Sequence, residues 1–278
     1  MKTTTWMLAG VAAMMAVAAC GQKKSETAPK YLVLYYSQTT NTRAVAEEIA
    51  DVLGADIEEI IAETPYDGDF EATIQRCLKE REDGLIPAIR PVQAKLDDYD
   101  VIFLGYPVWF GTYAPPVAAW LQEVDLSGKK VVPFCTFGSG GLDSSVRDLA
   151  AIQPEAEILA GYGVRAARMD AMPAEVDRFL KAAGFLEGEY TAPEAFPEAH
   201  PASEEEAAIF VASIADYPMM AGATAATATS RPAPNGVEYK FTALAAPRPD
   251  MPDAPAMEMT VFVLAENGKA PVFTQVLR

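Results

Sequence analysis

Tyr31-Leu32-Val33-Leu34-Tyr35-Tyr36-Ser37-Gln38-Thr39-Thr40-Asn41-Thr42 decides how this chain is read. The first half is an apolar run with the length of a buried strand, and the second half is polar and rich in hydroxyls. Val45, Ile49 and Val52/Leu53 then recur at helical spacing, which predicts a helix over 41–53. A strand that turns directly into a helix through Ser37, Thr39 and Thr42 points hydroxyls and first-turn N–H groups the same way. Such a turn suits an anion, a phosphate before any other. By itself, the same turn is also an ordinary helix cap.

The pattern continues outward from that stretch. Residues 56–61 form a second strand candidate, followed by a turn at Pro65 and a polar helix around 69–81. Val101-Ile102-Phe103-Leu104-Gly105 is a continuous apolar run of the kind buried in a parallel sheet. A helix around 116–122, a strand at 130–136, a helix around 142–151, a strand at 157–161 and a helix around 174–183 complete the alternation. Alternating strands and helices predict an α/β fold with a doubly wound parallel sheet, whose ligands sit at the carboxyl ends of the strands.

After Glu187 the character changes. Residues 191–201 are rich in Pro, Ala and Glu and read as linker, and 204–214 form a helix candidate. Residues 223–235 combine Ala, Thr and two prolines, which predicts loop or irregular structure. Strand candidates follow at 237–244, 257–264 and 271–276. The expected organisation is a leader at 1–19, a tether at 20–29, a doubly wound domain at 30–187, a linker at 188–203 and a small α+β region at 204–278.

Three loops would meet at one edge of the sheet: 37–42, 106–113 and 137–141. In Tyr106-Pro107-Val108-Trp109-Phe110-Gly111 a large aromatic sits in a Pro/Gly-bracketed turn after the most buried strand. A Trp held that way offers a rigid face to a planar ring, although alone it is equally a core or interface residue. Thr136-Phe137-Gly138-Ser139-Gly140-Gly141 lets backbone approach a flat ligand closely, although alone it is an ordinary turn. Phosphate grip, aromatic plate and glycine-lined edge together describe a site for flavin mononucleotide (FMN).

On these residues the sequence resembles the flavodoxin family over 30–185. The family's phosphate loop follows a Thr/Ser-x-Thr-Gly-x-Thr pattern, and this chain has Ser37-Gln38-Thr39-Thr40-Asn41-Thr42. Thr40 stands where the family has glycine. If the backbone there is left-handed, a β-branched residue is strained, so phosphate affinity is reduced or the loop is arranged differently. The resemblance implies strand order 2-1-3-4-5 and FMN held at Ser37, Gln38, Thr39, Thr40, Asn41 and Thr42. Pro107, Val108, Trp109, Phe110 and Gly111 form the second loop, with Trp109 on the ring, and Thr136, Phe137, Gly138 and Gly141 lie at the ring edge. A second ring-facing aromatic is Phe137 or Tyr113.

The function expected is an FMN-binding redox protein, either an electron carrier or a small flavin-dependent reductase. Its partner is a redox protein or a small electron acceptor such as a quinone. A flavin supplies the electron chemistry, and stacking within acidic surroundings disfavours added negative charge on the ring and lowers its potential. The alternative is a cofactor-free surface binding module on the same scaffold, for which Thr40 is the best argument.

The N-terminus points to a compartment. Lys2, the apolar stretch 6–17 and the small residues Val17-Ala18-Ala19 before Cys20 read as an export leader. The apolar stretch is too short to span a bilayer comfortably. Val17-Ala18-Ala19-Cys20 resembles the bacterial lipoprotein signal, which implies cleavage before a lipidated Cys20. An ordinary secreted protein or an uncleaved anchor is the plainer account. The expected location is the bacterial cell envelope, on the periplasmic or outer surface, with membrane contact through the N-terminal lipid only. A formal net charge of -17 disfavours nucleic-acid binding, which needs a basic surface.

Rival chemistries find little support. Cys77 and Cys135 are too few for a disulfide scaffold, and sequence leaves their pairing open. Cys135 lies within a strand candidate rather than in a strained turn, and the only histidine, His200, sits in the linker region, so a hydrolytic pair is unsupported. Glu58 and Glu59 alternate across a strand, and Glu204-Glu205-Glu206 is a solvated helix start. No metal spacing is evident, and the turn after the first strand lacks Gly-x-Gly-x-x-Gly.

Overall fold

The computed structural model describes residues 29–246 and 256–278. The leader, Cys20 and most of the expected tether lie outside the described residues. In chain order the first sheet and its helices are β1 (Tyr31–Tyr35), α1 (Asn41–Leu53), β2 (Asp56–Glu59), α2 (Phe70–Asp83), β3 (Val101–Trp109), β4 (Thr112–Tyr113), α3 (Pro115–Glu123), β5 (Lys130–Phe137), α4 (Leu142–Ile152), β6 (Glu157–Ile158), β7 (Tyr162–Arg165) and α5 (Met172–Ala182). The strands run parallel in the order β2-β1-β3-β5, with β6 and β7 both pairing β5 and β4 pairing β3 as a hairpin. Without that hairpin the order is 2-1-3-4-5, a doubly wound flavodoxin-like sheet.

Period-two alternation along the strands divides the core. Leu32, Leu34, Tyr36, Ile102, Leu104 and Tyr106 face α2, α3 and α4, where Cys77, Val117, Trp120 and Leu149 meet them. Val33, Tyr35, Phe103, Val132 and Phe134 face α1 and α5, against Val45, Ile49, Val176 and Leu180. Both faces are covered, which is why the strands read as continuous apolar runs.

A second, antiparallel sheet follows: β8 (His200–Pro201), α6 (Glu204–Ser213), β9 (Thr224–Ala233), β10 (Gly236–Leu244), β11 (Glu258–Glu266) and β12 (Val272–Leu277), in the order β12-β11-β10-β9-β8. Phe210 and Ile214 cover Phe241, Val261, Val263 and Phe273 on one face of it. Helix α6 begins with a reciprocal cap between Ser203 and Glu206.

Three expectations need correction. Residues 224–233 are a full strand rather than a loop, because β10 supplies the ladder while Ala228 joins the core under α6 and Thr229 bonds Pro197 O. The strand expected over 157–161 is split into β6 and β7 around Leu159–Gly161, where a Gly161 side chain would meet Pro133 O at 2.6 Å. The loop expected at 106–113 is mostly strand: β3 runs on to Trp109, and Phe110-Gly111, both left-handed, close a two-residue hairpin with Val108 opposite Tyr113. Pro107 is tolerated because β1 pairs with β3 only as far as Gly105.

Candidate functional site

β1, β3 and β5 are neighbours, so the segments after them open on one crevice at the carboxyl edge of the sheet. Tyr35 is level with Gly105, and Pro107 with Thr136.

The first segment ends at α1. Thr40 is left-handed, with φ 69, so it takes the conformation that a glycine would take there. Its departure from the family pattern leaves the turn in place at the cost of local strain. Thr40 caps α1 without a side-chain hydrogen bond, and the first turn carries no acidic residue. The Arg43 amide donates to Ser37 Oγ at 3.2 Å, and the Ala44 amide to Thr40 O at 2.9 Å. The amides of Asn41 and Thr42 meet no protein acceptor among the described residues. Thr39 and Thr40 are exposed, Ser37, Gln38 and Asn41 partly so. Thr42 is buried, and its hydroxyl lies 2.8 Å from that of Thr136. Gln38 Nε2 donates to Tyr66 O and Thr73 Oγ1, both at 2.8 Å, which ties the loop to the start of α2.

Trp109 stands half-buried at the end of β3. It meets Tyr36 and Tyr66 edge to face, with ring centroids 5.9 and 5.2 Å away. Tyr66 is fixed in turn: its hydroxyl donates to Glu80 at 2.7 Å and the Arg76 guanidinium lies 3.6 Å from its ring centroid. Burial holds the phenols of Tyr36 and Tyr66 well above the ordinary tyrosine range, so both are neutral supports. Sequence reasoning missed these two supports. Tyr36 was legible as the last inward residue of the 32, 34, 36 alternation, whereas Tyr66 lies in an irregular turn with no periodic signal. Beside Trp109 opens a mainly apolar cavity of about 380 Å³, lined also by Leu85, Ile86, Phe110 and Tyr113.

The third segment departs from the sequence reading in two ways. Phe137 and Tyr113 are both core residues, 5% and 9% exposed; Phe137 packs within the core, while Tyr113 packs edge-on against Tyr106 and borders the cavity beside Trp109. Two of the glycines serve the chain itself rather than a ligand. A Cβ at Gly141 would meet Val108 Cγ1 at 2.5 Å, and one at Gly140 would meet Val276 O at 2.4 Å. Gly138 is the exposed glycine of this turn, its carbonyl accepting from Arg165 Nε at 2.9 Å.

Cys77 and Cys135 are free and buried. Desolvation pushes the Cys77 thiol up to about 11 and that of Cys135 higher still, which keeps both thiols protonated at neutral pH.

The arrangement can hold an anion at the unpaired first-turn amides and a planar group against Trp109. Among solved structures, a protein from Bacteroides eggerthii DSM 20697 is 27% identical, with a match covering 56% of this chain and 98% of that one at a TM-score of 0.50. A protein from Bacteroides uniformis ATCC 8492 is 25% identical over 54% of this chain and 98% of its own, at 0.48. A flavoprotein from Lactobacillus acidophilus NCFM, solved in complex with FMN, is 24% identical over 49% and 93%, at 0.45. No curated protein matches the chain. The family model described as Flavodoxin matches residues 30–174, from the start of β1 into α5. That match spans more than half of the chain, and the chain belongs to the flavodoxin family.

Proposed function

We propose that this protein is an FMN-dependent redox protein of the cell envelope. The observation that carries the reading is the convergence of unpaired first-turn amides on α1 with Trp109, which follow from adjacent strands of one sheet. FMN fits the donor set: a phosphate completes the amides of Asn41 and Thr42 with the hydroxyls of Ser37 and Thr39, and no carboxylate opposes it in the first turn. When bound, the flavin supplies one- and two-electron transfer. The chain's own part is to hold it. Ser37 and the α1 amides fix the phosphate end, Trp109 braced by Tyr36 and Tyr66 fixes the ring plane, and Gly138 lets the third loop approach the ring edge.

A small acceptor rather than a protein partner is favoured by the cavity beside Trp109. About 380 Å³ with Leu85, Ile86 and Phe110 in its wall suits a planar apolar molecule of the quinone class. The protein is then a small reductase, and Cys20 carries the lipid that keeps it at the membrane surface where such acceptors dissolve.

A visible absorption titration of the full-length protein with FMN, followed by photoreduction, tests the reading. Saturable binding and bleaching support it, and absence of binding returns the chain to a cofactor-free binding module. The anchor is tested separately by metabolic labelling with a fatty-acid probe, which Cys20→Ser should abolish.

A further inference from the structure

The third loop is gripped from outside the parallel sheet. The Val276 amide, near the end of β12, donates to Ser139 O at 2.6 Å, and Gly140 is the point where β12 backbone passes. Arg165, buried at the end of β7, donates Nε to Gly138 O at 2.9 Å and Nη1 to Phe273 O at 3.2 Å, and pairs Nη2 with Asp216 at 2.8 Å. Its guanidinium also lies 3.5 Å from the centroid of the Phe273 ring. One buried cation therefore joins the loop to the antiparallel sheet and to the segment after α6.

Next to Asp216, Tyr217 brings its ring within 3.7 Å of the point where a side chain at Gly138 would begin. It is half-buried, packs edge-on against Phe273 with centroids 5.5 Å apart, and its hydroxyl reaches Met219 Sδ at 3.5 Å. Trp109 lies two residues beyond Pro107, and Gly138 two beyond Thr136, the last paired positions of β3 and β5. Trp109 and the Gly138–Tyr217 contact thus flank the crevice between two adjacent strand ends. Because Phe137 is in the core, the third loop brings no aromatic of its own there.

We propose that the cofactor site is composite: Tyr217, supplied by the C-terminal part of the chain, forms the wall beside the flavin ring at Gly138. This inference rests on the FMN-binding reading. The wall is held in place by Arg165, Asp216 and Phe273 before any ligand arrives, so binding orders little there. Its role is to position the ring edge and shield it on that side.

FMN titrations of the full-length protein and of Y217F, Y217L and Y217A, reading Kd and the shape of the visible absorption band, test the assignment. The Phe variant should keep the wild-type Kd, while Leu and Ala raise it by about ten-fold and alter the band. If Leu matches Phe, the side chain only fills space and the proposal falls. It also falls if all three variants bind as the wild type does. A wild type that takes no FMN overturns the parent reading, whereas a wild type that binds beside unaffected variants overturns the composite wall alone. The Leu variant keeps the bulk of the packing, so its comparison with Phe stands even if Ala loosens the interface.

Discussion

The hydroxyls of Thr42 and Thr136 lie 2.8 Å apart, 1% and 5% exposed, and join the first and third loops through the interior. Either can donate, and removing one leaves the other without that partner. Thr42→Val and Thr136→Val should each lower stability by about 1–3 kcal/mol, and the double variant should cost less than the sum. Chemical denaturation of the four proteins measures the coupling. FMN affinity should fall in both single variants, because the two loops lose their common register.

Trp109→Ala should weaken FMN binding roughly ten-fold and shift the flavin potential, while Trp109→Phe retains most of the affinity. Equilibrium titration and spectroelectrochemistry report both quantities. Unchanged binding and potential in the Ala variant would remove Trp109 from the site.

The parallel sheet was legible because its signals are local. Leu32, Val33 and Leu34 form an apolar run, and Val45 and Ile49 keep helical spacing. The turn from β1 into α1 at 37–42 was legible for the same reason. The strand at 224–233 was not, because its alanines and the nearby prolines disfavour strand and only pairing with β10 makes it one. The positions of Tyr66, Arg165 and Tyr217 beside these loops were not legible, because contacts with residues distant in sequence place them. The glycines of the third loop misled in an instructive way: they read as letting backbone approach a flat ligand, whereas Val276 and Val108 are what come close at Gly140 and Gly141.

Cys77 links burial to pH. Its thiol is raised from an ordinary value of 9.0 to about 11, chiefly by desolvation. The unfolded thiol therefore loses its proton first as pH rises, and the native state binds more protons in that window. Stability from this group is fully present below pH 9.0 and declines between there and about 11. Cys77→Ser should flatten that part of the stability-against-pH curve. Maleimide labelling at pH 7.5 should modify neither Cys77 nor Cys135 until denaturant unfolds the chain.

Thr40 holds φ 69 with a β-branched side chain whose hydroxyl stays on its own turn, bonded to Thr39 O at 2.5 Å. Thr40→Gly removes the left-handed penalty but adds freedom to the unfolded chain, so the net gain is up to about 1 kcal/mol. The urea midpoint should rise slightly, and FMN affinity should be kept or improved, because the turn already has the shape glycine adopts. A lower midpoint would show that Thr40 makes a compensating contact.

Gly140 is the most exacting position of the third loop. Its φ of 156 is accompanied by Val276 O only 2.4 Å from where a Cβ would begin, and that oxygen belongs to backbone rather than to a movable side chain. Gly140→Ala must push β12 away or distort the loop. Either response stretches the 2.6 Å hydrogen bond from the Val276 amide to Ser139 and the contacts of Arg165 with Phe273 and Gly138. The expected loss is about 2–4 kcal/mol, since a buried charge would also lose part of its surroundings. Gly138→Ala is the matched control, because its Cβ meets Tyr217 at an ordinary 3.7 Å and should cost little. Thermal melts and limited proteolysis of the two variants separate the cases: early cleavage near the third loop in Gly140→Ala, but not in Gly138→Ala, is the result expected if the C-terminal strand locks this loop.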